Sequence, residues 1–574
     1  MNEYAIQHIP DSRYCFATGE KELVIRLRMA REDERAKVFL VYAPKYDFTF
    51  CREKIPMEIK YSDRLYHYYE IKMELTDVRF AYIFQIEEAG NTWYFSEDGV
   101  TREYRFEEGF YNFFQMPYIN KNDVMETVDW MRSAVFYQIF VERFRQGNTK
   151  KDTSYVNMEW GELPTPKSFA GGDLAGIIEK MDYLKALGIN ALYLTPVFRS
   201  VSNHKYDIID YFTVDPQFGT REDLKRLVQM AHEQKIRVVL DAVFNHCSME
   251  MKQFQDVLEK GKASPYHDWF LIEGDYPKPD LMNYECFAAC NYMPKLNTAN
   301  EEVQDFLIEV ALYWIREADI DGWRLDVSDE VSHEFWRRFR KAVKQEKPDS
   351  VIIGENWHDA YPYLMGDQYD SIMNYAFTKA CLDYFAKGVF TAKEMAEKLN
   401  GNLMRNIEQV NRMMLNLLDS HDTHRFYTEV GKDKDKVLAA VALEMIFVGA
   451  PCIYYGTEIC TEGGYDPDSR RCFSWDTDSW DMDFLEMIKE LIRLRKQPAV
   501  QFGDIRITEE QGMLVVERIW KKSKLILRIN MESEEKVISA QEENFTAKEV
   551  VLCENNCKDF RLQEKGFLIT ITEG

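Results

Sequence analysis

The chain has 574 residues, too many for one hydrophobic core, so about two to four domains are expected. An apolar content of 46% with 14% aromatics excludes a disordered polypeptide, and a net charge of −25 argues against nucleic acid as a partner. No stretch approaches the roughly 18 consecutive apolar residues of a membrane span, so no membrane partner is expected.

The N-terminal stretch MNEYAIQHIPDSRYCFA lacks a basic segment leading into an apolar one, so no secretory signal is expected. The 11 cysteines are odd in number and scattered, which predicts reduced thiols in a cytoplasmic protein. Cys286 with Cys290, and Cys553 with Cys557, lack a second ligand pair at zinc-site spacing, so no zinc site is expected. Residues 1–125 read as strands. Glu22–Met29 alternates, and Ala36–Ala43, Tyr66–Met73 and Val78–Ile86 are rich in aromatic and β-branched residues, which predicts an antiparallel β-sandwich.

From about residue 130 the rhythm becomes strand then helix. Val135–Phe140, Ile189–Leu194 and Ile236–Phe244 read as the first three strands, with helices over Leu174–Leu187, stopped by Gly188, and Arg221–Gln234. A long irregular span, His246–Thr298, follows the third strand and reads as an inserted subdomain. Strands 320–327, 351–355, 370–374, Met413–Leu418 and Cys452–Tyr455 then alternate with helices over 301–318, 333–345, parts of 376–411, 436–447 and 482–496. Eight such units predict an α/β fold, a (β/α)8 barrel over residues 126–500 with an insertion at 246–298. A doubly wound sheet is the alternative, but no Gly-rich nucleotide turn supports it. The tail, 501–574, returns to strands (Arg506–Thr508, Met513–Ile519, Lys524–Asn530, Gly566–Thr572) and predicts a C-terminal β-sandwich.

Polar residues at the C-terminal ends of barrel strands are where chemistry is sought. The third strand ends Asp241-Ala-Val-Phe-Asn-His246, the fourth Arg324-Leu-Asp326, the fifth Gly354-Glu355-Asn-Trp357, and the seventh Asp419-Ser-His421-Asp422. Arg324 and Asp326 lie two apart and share one strand face, so the guanidinium is expected to keep the Asp326 carboxylate ionised. Glycoside hydrolysis needs one ionised carboxylate that attacks and one protonated carboxyl that donates to the leaving oxygen. Asp326 suits the first role and Glu355 the second. Asp422 suits stabilisation of an oxocarbenium-like transition state, and the histidines suit bonds to sugar hydroxyls. A metal site built from the same Asp, Glu and His is the rival reading on spacing alone.

The motifs DAVFNH, DGWRLDV, GENW and SHD, in that order, resemble the four signature regions of the α-amylase family of glycoside hydrolases. Gly188-Ile-Asn-Ala-Leu-Tyr-Leu-Thr-Pro, His204-Lys-Tyr206-Asp and Gly449-Ala-Pro-Cys-Ile-Tyr-Tyr-Gly-Thr-Glu extend the match. Met293-Pro-Lys-Leu-Asn-Thr298 resembles the marker of the cyclomaltodextrinase, neopullulanase and maltogenic amylase subgroup, which also carries an N-terminal β-sandwich. The resemblance implies a retaining hydrolase of α-1,4 bonds in cyclodextrins, maltodextrins and pullulan, working through a covalent glucosyl-enzyme. Asp326 is then the nucleophile, Glu355 the acid/base and Asp422 the transition-state stabiliser. His246, His421 and Arg324 line the subsite of the cleaved glucose, and Tyr206 stacks on that sugar. Asp466 and Arg470 grip the non-reducing-end sugar, and Phe287 and Trp357 are aromatic platforms on either side of the cut. A homodimer is implied, the N-terminal sandwich of one protomer covering its partner's cleft. Transfer to sugar acceptors, α-1,6 cleavage, and a non-catalytic glucan-binding role are the alternatives.

Two departures from the subgroup stand out. Ser328-Asp329 replaces the usual Ala-Asn after the nucleophile, a change expected to bear on the choice between water and sugar as acceptor. The calcium loop after the first strand reads Gln146-Gly-Asn148-Thr-Lys-Lys151-Asp152, with a lysine where a hard cation expects oxygen. Asn148, Asp152, Gly171 and Asp173 are the candidate calcium ligands, binding is expected to be weak or absent, and the chemistry requires no cofactor.

Overall fold

The computed structural model describes residues 1–538, 548–554 and 561–573; Cys557 of the second cysteine pair lies outside them. The chain divides into two compact units. One comprises Met1–Thr127, Phe390–Asn411 and Arg506–Val515, and the other Val128–Val389, Arg412–Ile505 and Val516–Gly574.

In the first unit, two antiparallel sheets enclose a core. One sheet runs Cys15–Gly19, Glu22–Ala30, Tyr66–Glu74, Glu58–Ser62, and the other is built around Lys37–Pro44, Phe80–Glu88 and Asn91–Ser96. Leu23, Ile25, Leu27 and Met29 from one sheet meet Val38, Leu40, Phe84 and Ile86 from the other, the inward-facing sets of a sandwich. The helix Ala392–Leu403 begins in a capping box at Thr391 and Glu394. Its Asn400 amide donates to Ser62 O at 3.3 Å, and Glu397 pairs with Arg31 at 2.6 Å.

The second unit is organised by eight parallel strands: Phe136–Ile139, Ala191–Leu194, Arg237–Ala242, Gly322–Leu325, Val351–Gly354, Ser371–Ile372, Leu415–Leu417 and Ala450–Tyr454. Each pairs in parallel with the next, the eighth with the first, and a bridge from Met373 to Leu415 joins the sixth to the seventh, so the barrel closes. The strands are short and almost entirely buried, which is why they read as apolar runs without alternation. The expected helix over 174–187 is two helices, Leu174–Glu179 and Met181–Leu187, because Lys180 leaves helical geometry at ψ 12°. Gly188 caps the second at φ 99°, the left-handed stop its position predicts. A hairpin, Phe198–Ser200 with Ile208–Val214, was not expected and carries the His204–Tyr206 loop. The inserted span contains the helix Lys252–Lys260 and is closed on itself by bridges from His246 to Lys295 and from Phe270 to Leu296, while the Leu296 N–H donates to Asn245 O at 2.9 Å beyond the third strand. In the tail, Ser523–Ile529 pairs antiparallel with Phe567–Glu573, which pairs with Lys548–Glu554.

Candidate active site

Register fixes the centre of the barrel mouth. Asp241 on the third strand is the direct partner of Arg324 on the fourth, and Leu325 is the partner of Gly354 on the fifth. Asp326 and Glu355, one residue beyond each strand, therefore stand at the same level. Gly354 has no room for a side chain, since a Cβ there would lie 2.7 Å from the Tyr369 ring.

Arg324 is the hub. Its Nη1 donates to Asp326 Oδ1 at 2.8 Å and to both Asp241 oxygens at 3.0 Å, and its Nη2 lies 2.9 Å from Glu355 Oε2 and 4.0 Å from Asp422 Oδ2. Four carboxylates thus share one buried guanidinium. Burial works against the Arg324 charge, but Asp241 and Glu355 hold its pKa well above the ordinary value. The carboxylates respond oppositely. Burial pushes Asp241 up to about 6, against the pull of Arg324. Burial also pushes Asp326 well above the usual carboxylate range; Arg324 opposes this, while Glu355, Asp241 and Asp422 add to it. The expectation that Arg324 keeps Asp326 ionised by lowering its pKa is corrected here, because one cation does not balance a desolvated group of four acids.

Each carboxylate is held differently. Asp326 lines the cleft, and its buried Oδ2 has no hydrogen-bond partner among the described residues. Glu355 Oε2 accepts the Val327 N–H at 2.9 Å, and its Oε1 accepts the Trp357 indole N–H at 3.2 Å. Val327 aims that N–H from φ 44°, ψ 44°, a left-handed conformation that is strained for a β-branched residue. Asp422 is 3.3 Å from Arg470 Nη2 and 3.2 Å from His421 Nε2, and Arg470 also pairs with Asp466 at 2.9 Å.

The cavity measures about 810 Å³. Asp326, Glu355, Asp422, Tyr206, His246, Phe287, Trp357, Asp466 and Arg470 all line it. Arg324 and His421 lie buried beneath it. Tyr206 lies parallel to His421, 5.5 Å between centroids, and donates to Asp241 Oδ2 at 3.0 Å. Phe287 stacks on His246 at 4.8 Å, and Trp357 on Tyr375 at 3.6 Å. Burial drives His246 down to about 3 and His421 well below its ordinary value, so both imidazoles are neutral hydrogen-bond partners. His246 Nε2 has no partner among the described residues.

Several residues given no role from the sequence belong to the site. Asp241 opened a motif, but its three donors, Tyr193, Tyr206 and Arg324, come from three distant segments. His204 and Tyr465 also line the cavity. Lys295 donates to Asn245 Oδ1 and, at 3.0 Å, to Glu330, tying the inserted span to the ends of the third and fourth strands. Ser328 does not reach the cleft; it is buried and donates to the Glu355 main-chain oxygen at 2.6 Å, while Asp329 faces the cavity. The candidate calcium ligands lie elsewhere. Gly171 O and Asp173 Oδ2 converge, but on the ammonium of Lys151, at 2.7 and 2.9 Å, and Asn148 and Asp152 turn their side chains to local backbone N–H groups.

A geometry of paired carboxylates around a buried arginine, with aromatic side chains lining the cavity and neutral histidines beside and beneath it, suits acid–base and nucleophilic work on a neutral, hydroxyl-rich ligand. Comparison with known proteins agrees. Residues 138–503 match the model of the alpha amylase catalytic domain, and residues 1–120 match the alpha amylase N-terminal ig-like domain. A cyclomaltodextrinase of Thermoanaerobacter pseudethanolicus is 43% identical over 550 residues, covering 94% of this chain and 95% of its own. An intracellular maltogenic amylase of Bacillus subtilis is 41% identical, covering 87% of this chain and 85% of its own. A solved cyclomaltodextrinase structure superposes with a TM-score of 0.93 at 35% identity, with both chains fully covered.

Proposed function

The chain belongs to the α-amylase family of glycoside hydrolases and is an α-glucan hydrolase acting on oligosaccharides; from that premise, we propose that it is a retaining enzyme that cleaves α-1,4 bonds of cyclodextrins, maltodextrins and pullulan. The observation that carries this reading is the gathering of Asp326, Glu355 and Asp422 on Arg324, at 2.8, 2.9 and 4.0 Å, facing one cleft. Four acids sharing one fixed cation favour a proton retained within the cluster, and a retaining pair needs one acid ionised and one protonated.

In the mechanism, a glucosyl unit enters over Tyr206, and His246, which lines the same cavity, hydrogen-bonds a sugar hydroxyl. The Asp326 carboxylate attacks the anomeric carbon as Glu355 gives its proton to the departing glycosidic oxygen. Arg324 and Asp422 stabilise the charge spread of the transition state. Glu355, now a base, takes a proton from water, whose oxygen displaces Asp326 and regenerates the free acid. Phe287 and Trp357 hold sugars on either side of the cut through stacking on their faces.

The test is a panel of γ-cyclodextrin, pullulan, starch and an isomaltose-type sugar, with the anomer of the first product read by NMR. An α-anomer from the first two supports the reading; an initial β-anomer, or cleavage confined to α-1,6 bonds, refutes it. Asp326→Asn should abolish turnover while leaving substrate binding measurable by calorimetry, and appreciable residual turnover refutes the nucleophile assignment.

The same reading extends to assembly and location. A homodimer is supported by the exposed aromatics Tyr46, Phe50, Phe110 and Tyr111 on the N-terminal unit. Sedimentation showing only monomer at micromolar concentration refutes it. A cytoplasmic location is supported by the free thiols among the described cysteines and by the intracellular Bacillus relative.

A further inference from the structure

The loop after the first barrel strand contains a cation that belongs to the chain itself. The Lys151 side chain is only 7% exposed, and its Nζ is surrounded by oxygens. It lies 2.9 Å from Asp173 Oδ2 and donates to Gly171 O at 2.7 Å and to Gln217 O at 2.8 Å, with Gly172 O at 3.5 Å. Gly171 turns its carbonyl inward from φ 89°, a conformation open to glycine. Asp173 spreads its charge further, accepting the N–H groups of Gly147, Asn148 and Gly176 at 2.9, 3.1 and 2.8 Å.

The same oxygens do not fit a divalent ion. Calcium takes six to eight oxygens, several of them carboxylate. Here one carboxylate, Asp173, reaches the centre. Asn148 Oδ1 accepts the Lys150 N–H at 3.0 Å, and Asp152 Oδ1 accepts the Ser154 N–H at 2.9 Å, so neither is directed inward. Among the described residues, no group of three His, Cys, Asp or Glu side chains is placed to hold a metal. A second ammonium adds to the barrier. Lys205, fully buried, pairs with Asp215 at 3.0 Å and donates to Gln217 Oε1 at 2.5 Å. Gln217 is therefore held at its main chain by one lysine and at its side chain by another. A divalent ion entering this cluster would meet two fixed positive charges in a medium that screens them poorly.

We propose that Lys151 is a covalently tethered replacement for a structural metal ion, and that the protein keeps its stability and activity with no divalent cation bound. The ammonium makes the connections a cation would make. It joins the first-strand loop to the Gly171–Asp173 segment and to Gln217, and Gln217 in turn contacts Lys205, the neighbour of Tyr206 in the cleft. The claim is independent of which glucan is cleaved.

The test uses the full chain. Wild-type protein is melted in EDTA and in millimolar calcium chloride, and bound calcium is counted by mass spectrometry after dialysis against calcium. Equal melting temperatures and substoichiometric calcium are expected; stoichiometric calcium with a lower melting temperature in EDTA overturns the proposal. Lys151→Met, which keeps the methylene reach and removes the charge, is expected to lower the melting temperature by roughly 3 °C or more whether or not calcium is present. A Lys151→Met protein that melts with the wild type overturns it. Lys151→Asn, which also removes the ammonium, is expected to melt below the wild type in calcium and in EDTA alike, because only one carboxylate points inward. A variant that calcium restores to wild-type stability overturns the misfit of these oxygens to a divalent ion. If neither variant folds, the wild-type comparison decides.

Discussion

Replacing Arg324 by methionine removes the one cation that Asp241, Asp326, Glu355 and Asp422 share, while nearly preserving side-chain volume. Three of its carboxylate contacts fall between 2.8 and 3.0 Å. At an effective dielectric of about 20, each is a gross attraction of roughly 5–6 kcal/mol. Desolvation of the guanidinium and mutual repulsion of the acids cancel most of that total. What survives is the cost of leaving buried charges unpaired, about 3–5 kcal/mol for removal of one partner. The melting temperature near neutral pH should fall by roughly 3–5 °C, since the unfolding entropy of a chain this long is on the order of 1 kcal/mol per kelvin. The sign with pH follows from the raised folded-state pKa values of Asp241 and Asp326. Without Arg324 they rise further, so ionisation costs stability as pH climbs from the ordinary carboxylate value through the folded one. Protonation at about pH 5 removes much of that cost, and the gap to wild type should narrow there. Differential scanning calorimetry at several pH values reads both quantities. A variant that melts with the wild type at neutral pH, or a gap that widens on acidification, would refute the reasoning.

Two further outcomes are expected. The acid limb of kcat/KM should lie above the ordinary carboxylate value of about 4, because Asp326 is pushed up in the free site and, as the proposed nucleophile, would have to be ionised to attack; a limb at or below that value contradicts the burial described for it. Trp357→Ala should raise KM about tenfold, a loss of ~1.4 kcal/mol of stacking, whereas Trp357→Phe should hold KM and lower kcat by losing the N–H bond to Glu355; equal KM for alanine and wild type would remove Trp357 from the platform.

What the sequence made legible was local. The strand-then-helix rhythm is written in runs of apolar residues punctuated by caps such as Gly188, and the acids stand where each strand stops. Arg324 and Asp326 two residues apart announce a shared face, and the face is shared at 2.8 Å. The remainder depends on segments that meet only in the fold. Asp241 gains its role from Tyr193, Tyr206 and Arg324, which lie up to 83 positions away. The direction of the Asp326 shift needed the number of acids around Arg324, and spacing along one strand does not count acids on other strands. The sequence predicts that Ser328-Asp329 bears on the choice of acceptor, but the turn after the fourth strand buries Ser328 behind Glu355 and leaves only Asp329 at the cavity. The Lys151 cage was visible only as a misplaced residue type, because the carbonyls that make it come from Gly171 and Gln217.

Trp357 has a further consequence. The residue is 46% exposed, yet its ring centroid lies 3.6 Å from that of Tyr375 at an angle of 6°, and its N–H is bonded to Glu355. A surface tryptophan free to rotate would lose rotamer freedom when a sugar settled on it, a cost of about 0.5–1.5 kcal/mol for an immobilised side chain. Here that ordering is complete before any glucan arrives. The face offered to substrate is already fixed, so stacking energy goes into affinity instead of into freezing the platform. The bond to Glu355 also means that any sugar pressing on the indole pushes on the carboxyl proposed as the proton donor.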